Sequence, residues 1–183
     1  GENRNSNCSN EYYQTMDITN LDEVMEVVGA FLPTHIIHTA AMTNVDACET
    51  NPELCENVNV VGSSNIFQAA KKFNAHCHLL STDFVFDGEK GNYSEEDEVN
   101  PLSVYANSKV KAENELLQGN YANFSIVRTI IVYGTAINLS RTNIFLWAKE
   151  ALPKGDTMNI VDDQFRAPTW ADDLAWGCIR ICE

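Results

Sequence analysis

Nowhere in the 183 residues is there an unbroken apolar run of the roughly 20 residues that a bilayer crossing needs. Gly1 to Glu11 are polar, and no basic segment leads into an apolar one, so a signal peptide is not expected. Positive charge is scarce: 12 Lys and Arg stand against 26 Asp and Glu, for a net charge of −14. Binding a nucleic-acid backbone needs a concentrated basic face, and this balance disfavours it. The six cysteines form no C-x-x-C pair and have no His at zinc-finger spacing, so no metal site is expected and free thiols in a reducing cytoplasm are. Asn92-Tyr93-Ser94 and Asn138-Leu139-Ser140 fit the glycosylation sequon, but so short a pattern arises often by chance and carries no weight. Repeats, low-complexity tracts and linker-like stretches are also lacking.

What remains is a chain with 44% hydrophobic residues, enough for a sizeable core. Short apolar runs alternate with longer amphipathic stretches, the pattern of parallel strands joined by helices that pack on the sheet. Strands are predicted at Tyr12 to Met16, His35 to Thr39, His78 to Ser81 and Ser125 to Val132. Helices are predicted at Asp22 to Phe31, capped by Thr19 or Asn20, and from Pro52 to Phe73. Another runs from Pro101 or Ser103 to Leu117, ending before Gly119. Beyond Gly134, Thr142 to Leu152 reads as helix, Asn159 to Val161 as a short strand and Trp170 to Ile181 as an amphipathic helix. The acidic, Gly-containing segment Asp87 to Asn100 reads as a loop at the carboxyl end of a strand, where open α/β sheets place ligands.

Chemistry concentrates in two places. Tyr105-Ala106-Asn107-Ser108-Lys109 puts a phenol and an ammonium four apart, on one face of a helix. An ammonium close by favours the phenolate and lowers the tyrosine pKa toward a value useful for proton transfer. The second place is Leu79-Leu80-Ser81-Thr82-Asp83-Phe84-Val85-Phe86-Asp87-Gly88, a buried strand ending in hydroxyl residues. A hydroxyl there can bond the same oxygen that the tyrosine protonates.

Together these segments resemble the extended short-chain dehydrogenase/reductases, and most closely the dTDP-4-dehydrorhamnose reductases. The likeness extends over Asp17-Ile18-Thr19, Thr39-Ala40-Ala41-Met42-Thr43, Val58-Asn59-Val60, Arg128-Thr129, Val132-Tyr133-Gly134 and Asp163-Gln164-Phe165-Arg166-Ala167-Pro168-Thr169. It implies a three-layer α/β/α Rossmann-like parallel sheet, with residues 1–134 as the NAD(P)-binding core and 135–183 as the start of the substrate region with a returning strand and helix. It further implies a catalytic set of Thr82, Tyr105 and Lys109. NADPH or NADH would be held by Asp17, Ile18, Ala40, Ala41, Thr43, Asn59, Tyr105 and Lys109, with Asn59 aiding a proton relay. The substrate, a sugar nucleotide, would meet Thr82, Asp83 and Gln164. A second copy of the chain, in a homodimer, is the protein partner the resemblance allows.

The sequence departs from the family in two respects. None of its nine glycines forms the G-x-x-G-x-x-G turn that brings backbone N–H groups to a pyrophosphate, so the chain is expected to be a fragment of a doubly wound fold that lacks the first two strands. Ile130-Ile131 stands where the rhamnose reductases commonly show Ser-Trp, which removes an aromatic wall from the sugar pocket. Related dehydratases place a Glu after the Thr-Asp pair, whereas Phe84 cannot carry a proton, so dehydration is disfavoured. The expected activity is reduction of a 4-keto-6-deoxy sugar nucleotide. The alternatives are a sugar-nucleotide epimerase and a non-catalytic, dinucleotide-binding subunit like that of methionine adenosyltransferase.

Overall fold

The structure, a computed structural model, describes residues 13–135 and 144–183. Tyr12, Cys8, the Asn138 sequon and the first two residues of the helix expected from Thr142 lie outside the described residues. Asn20 starts α1 (Leu21–Phe31) by accepting hydrogen bonds from the N–H groups of Asp22 and Glu23, two acids whose charge suits the helix amino end. Leu32 ends the helix in the left-handed region at φ 50°, and β1 (His35–His38) follows. After the short α2 (Val45–Thr50), Pro52 opens α3 (Pro52–Glu56), which passes through a π-helical turn at Asn57–Val61 into α4 (Gly62–Phe73). The helix expected from Pro52 to Phe73 therefore has the right extent, but it carries an inserted wide turn. Such turns frequently mark functional sites.

Asn74 closes α4 in the left-handed region, which asparagine tolerates, and the chain enters β2 (His76–Thr82). A 3-10 turn at Asp83–Val85 leads into the acidic loop. Ser103 then caps α5 (Val104–Gln118), which is followed by β3 (Phe124–Thr129) and β4 (Val132–Tyr133). The last elements are α6 (Ile144–Ala151), β5 (Thr169–Trp170) and α7 (Ala171–Cys182).

Strands β1, β2 and β3 form a parallel sheet in that order, with His38 opposite Leu79 and Thr82 opposite Thr129. Parallel strands need crossovers, which α4 and α5 supply. Alternation along β2 turns Cys77 and Leu79 toward α4 and α5, where they join Val24, Val28, Ile66, Phe67, Ala112 and Leu116 in the main core. The opposite side of β2 and β3 is approached by α7, which completes the third layer. The α/β Rossmann-like fold is thus the one expected. Among the described residues no helix is long and apolar enough to cross a membrane.

Three expectations need correction. Residues 13–16 join no sheet, although a strand was expected there: the described strands offer them no pairing partner, and extended backbone becomes a strand only through ladder hydrogen bonds. Asn159 to Val161 is likewise unpaired. The run from Ser125 to Val132 is not one strand, because the ladder with β2 stops at Thr129 and the chain then pairs Val132 and Tyr133 with Thr169 and Trp170 in a separate parallel pair.

Leu79 is fully buried on the central strand. Leu79→Ala is expected to lower unfolding stability by about 2–5 kcal/mol through lost burial and the cavity left behind, measured by urea denaturation.

Candidate active site

Thr82 ends β2 in extended backbone and caps the turn after it, its Oγ1 accepting from the Phe84 N–H at 3.3 Å and donating to Asp83 Oδ1 at 3.3 Å. On α5 the Ser103 hydroxyl accepts from the Ala106 N–H at 3.1 Å, which fixes the helix start and so the position of Tyr105 in its first turn. Tyr105 is buried, and its phenol lies close enough to the Thr82 side chain to be influenced by it. The strand-end hydroxyl and the helical phenol therefore converge. Burial pushes the Tyr105 phenol above its ordinary range, and the Thr82 side chain works in the other direction.

Lys109 lies one turn further along the same helix, 3% exposed, and its Nζ donates to the Leu80 carbonyl at 2.8 Å. Burial pulls its pKa down to about 8, against the opposing influence of Glu113. The expected lowering of the tyrosine pKa by this ammonium does not appear: in this arrangement Lys109 engages backbone, and burial dominates both groups. Glu113, one turn beyond, is held by a two-point ion pair with Arg128 (3.0 and 2.6 Å), whose guanidinium also covers the Phe86 ring at 5.1 Å. That pair ties β3 to α5.

Behind the site sits Asn59, wholly buried at the centre of the π-helical turn. Its Oδ1 accepts from the Met42 N–H at 2.7 Å, and its Nδ2 donates to the Met42 carbonyl at 3.0 Å and to Ser108 Oγ at 2.9 Å. Ser108 in turn donates to the Tyr105 carbonyl at 2.7 Å. One amide thus fastens the segment after β1 to the helix that carries Tyr105 and Lys109. His38 lies nearby with Nε2 2.9 Å from Ser63 Oγ, and Ser63 donates to the Asn59 carbonyl at 2.6 Å. Burial, with Lys109 adding to it, pulls the His38 pKa down to about 4.

The remaining expected residues divide into three groups. Ala40 and Thr43 are exposed and Ala41 half-buried, so the small side chains flanking Met42 leave the carboxyl end of β1 open to a ligand. Asp83 pairs with Arg166 at 3.5 Å, and Arg166 lies 4.8 Å over the Phe84 ring, itself edge-on to Tyr105. Gln164 is exposed and reaches this cluster only through Arg166, whose Nε donates to Gln164 Oε1 at 3.1 Å. Asp17 and Ile18 stand apart, at the entry to α1. The Asp17 carboxylate accepts from the Thr19 N–H and hydroxyl at 2.9 and 2.8 Å, and Ile18 packs against Gly62 while its carbonyl accepts from Asn65 at 2.9 Å.

Sequence reasoning missed His38, Ser63, Ser108, Glu113 and Arg166. The signal for Ser108 lay inside the Tyr-x-x-x-Lys run, three residues after the tyrosine and so on the same helical face. Ser81 Oγ and Thr129 Oγ1 are also buried at the strand ends with no hydrogen-bond partner, unmet polar capacity beside Thr82.

This geometry accords with what the chain is similar to. The family profile described as RmlD substrate binding domain matches residues 2–183. The chain belongs to the RmlD family. It is 36% identical over 172 residues to the dTDP-4-dehydrorhamnose reductase of Aggregatibacter actinomycetemcomitans, covering 93% of this chain and 57% of that one. It is 32% identical over 165 residues to the methionine adenosyltransferase 2 subunit beta of Xenopus laevis, covering 89% of this chain and 49% of that one. Among solved structures, the dTDP-4-dehydrorhamnose reductase of Bacillus anthracis in complex with NADP superposes with a TM-score of 0.84 at 30% identity, over 91% of this chain and 58% of that one. The Clostridium acetobutylicum dTDP-4-dehydrorhamnose reductase gives 0.81 at 35% identity, over 90% and 57%. This RmlD-family chain thus spans about half to three-fifths of the length of the relatives it matches.

Two outcomes follow from the buried polar groups. His38 is depressed in the fold, so it stays neutral there while the unfolded chain takes up a proton near its ordinary 6.5. Its contribution is therefore complete above pH 6.5 and is lost as the pH falls toward 4, by about 3 kcal/mol. Unfolding free energies at pH 7 and pH 4.5 should differ less in His38→Gln than in the unaltered protein by about that amount. Asn59→Leu strips partners from both backbone groups of Met42 and should cost about 2–4 kcal/mol in chemical denaturation.

Proposed function

We propose that the protein reduces the ketone of a 4-keto-6-deoxy sugar nucleotide with NADPH or NADH, the activity borne in name by its dTDP-4-dehydrorhamnose reductase relatives. The observation that carries this reading is the meeting of the Thr82 and Tyr105 hydroxyls with Lys109 one helical turn behind. A carbonyl oxygen accepting from both hydroxyls would be polarised from two directions, and Tyr105 is the group able to release a proton to it. The Phe84 N–H holds Thr82 Oγ1 in place from one side, and on binding the hydroxyl would turn its proton from Asp83 Oδ1 to the carbonyl.

The residues present fit the nicotinamide and adenine ends of a dinucleotide, while the Gly-rich turn for its pyrophosphate is not among them. Small side chains at Ala40 and Ala41 leave room at the end of β1, and Lys109 brings a donor beside the tyrosine, where a ribose hydroxyl can replace the Leu80 carbonyl as its acceptor. When bound, the cofactor supplies the hydride that the protein's own side chains cannot. Asn59, whose side chain is spent on Met42 and Ser108, positions that edge from behind. Asp17 and Ile18 would flank the adenine from the entry to α1. Asp83 and Gln164, joined through Arg166, face the substrate side. The division near residue 134 into a cofactor-side and a substrate-side part, and a cytoplasmic location, belong to the same reading.

In the full-length protein, Tyr105→Phe should lower turnover by orders of magnitude while cofactor affinity barely changes, followed by loss of nicotinamide absorbance on adding keto-sugar nucleotide. Undiminished turnover in the variant would reject the assigned role. The similarity to the methionine adenosyltransferase subunit supports a second reading as a dinucleotide-binding regulatory subunit. Cofactor binding with no oxidation by any keto-sugar nucleotide would favour it.

A further inference from the structure

At the amino end of β2, far from the hydroxyl pair, two histidines stand at alternate positions. Strand alternation sends His76 and His78 to the same side of the sheet, the side that α7 covers. The last residue of α7, Cys182, reaches the same spot, and one ligand atom from each of the three lies within 4.8 Å of the others. We propose that His76, His78 and Cys182 bind a borderline transition-metal cation, Zn2+, which fastens the end of α7 to β2.

Three observations carry the assignment. First, the donors are of the right kind: two imidazoles and a thiol form the N/S set that zinc takes, with water free to fill a fourth position at the half-buried edge. Second, His78 is wholly buried, yet its Nε2 has no hydrogen-bond partner. A buried polar nitrogen left unmatched is costly, and a metal bond at that lone pair removes the cost. Third, the other ring nitrogen is already engaged as a ligating histidine requires, with His78 Nδ1 2.7 Å from Ser125 Oγ. In that tautomer Nδ1–H donates to the serine and Nε2 presents its lone pair.

His76 bonds through both nitrogens, to Asn123 Oδ1 at 2.9 Å and Ser125 Oγ at 2.8 Å. It would give up one of these and keep the other as its orienting contact. Tetrahedral zinc needs ligand atoms about 3.3–3.7 Å apart, so the cluster must close by roughly an ångström. His76 and Cys182 are only half-buried, and His76 opens its strand, so such a shift meets little tightly packed core. The thiol, pushed above its ordinary pKa by burial, would lose its proton to solvent on binding.

The test is titration of the full-length protein, free of any histidine tag, with Co2+ as a spectroscopic stand-in for Zn2+. One equivalent should produce a thiolate-to-cobalt charge-transfer band with the strong visible bands of four-coordinate cobalt, and Zn2+ should bleach both. Cys182→Ser should abolish the charge-transfer band, and His76→Ala should weaken binding at least tenfold. Zn2+ should raise the melting temperature of the unaltered protein and not that of Cys182→Ser. His78→Gln serves as a third variant provided it folds. No charge-transfer band in the unaltered protein, or an equal band in Cys182→Ser, would overturn the site.

Discussion

The candidate site depends on the buried side chain of Asn59. Three of its hydrogen bonds reach a backbone segment after β1 and a serine on α5, two parts of the chain that no ladder or helix bond joins. The π-helical turn is what aims it there, because the extra residue in that turn rotates Asn59 out of α-helical register. Without this link, the opening flanked by Ala41 and Thr43 and the helix carrying Tyr105 and Lys109 would be joined, apart from packing, by more exposed contacts such as the Val104 N–H on Glu49 and Lys111 on Glu56. A buried amide satisfied on both its oxygen and its nitrogen defines distance and orientation in a way that apolar contacts do not.

Burial sets the electrostatics of the same region. Lys109 and His38 both lose proton affinity in the fold, and each does so chiefly because water has been removed from it. Glu113 and the Leu80 carbonyl support the lysine charge, and Glu113 is already shared with Arg128. An ammonium so weakly held is poised to respond to a ligand, since a new acceptor at its Nζ would favour the charged form. Tyr105 faces the complementary situation, a phenol kept neutral by burial, with the Thr82 side chain working in the other direction. Under the proposed function, Tyr105 would thus offer a proton from a neutral phenol rather than start as a phenolate.

Much of this was legible in the sequence, for definite reasons. The Tyr105 to Lys109 spacing is a local helical fact, and the hydroxyl at Thr82 follows from where an apolar strand ends, so their pairing needed only the crossover from β2 to α5. Extended segments fared worse where no described strand pairs with them: residues 13–16 and Asn159 to Val161 have strand-like side chains and no ladder among the described residues. The break at Ile130-Ile131 was hidden for the opposite reason, since β-branched residues continue the apolar pattern while the backbone changes partner, with the Ile131 carbonyl accepting from the Thr169 N–H at 3.1 Å. Arg166 could not be placed from its own segment, because what fixes it is a carboxylate and a ring more than eighty positions earlier.

The same logic explains why composition argued against a metal while the fold assembles donors for one. Motif spacing detects ligands that are close in sequence, and it is blind to a histidine pair at strand spacing completed from a helix about a hundred residues away. In a parallel sheet the two ends of a strand are chemically independent, since roughly 13 Å of extended chain separates His78 from Thr82. The carboxyl end of β2 is shaped by the turns and crossovers that follow it, whereas its amino end is approached by α7, which returns across the sheet. A cation there would act on how firmly α7 is held, and so on the strap running through Arg166 and β5 that leads into it, without touching the reacting atoms.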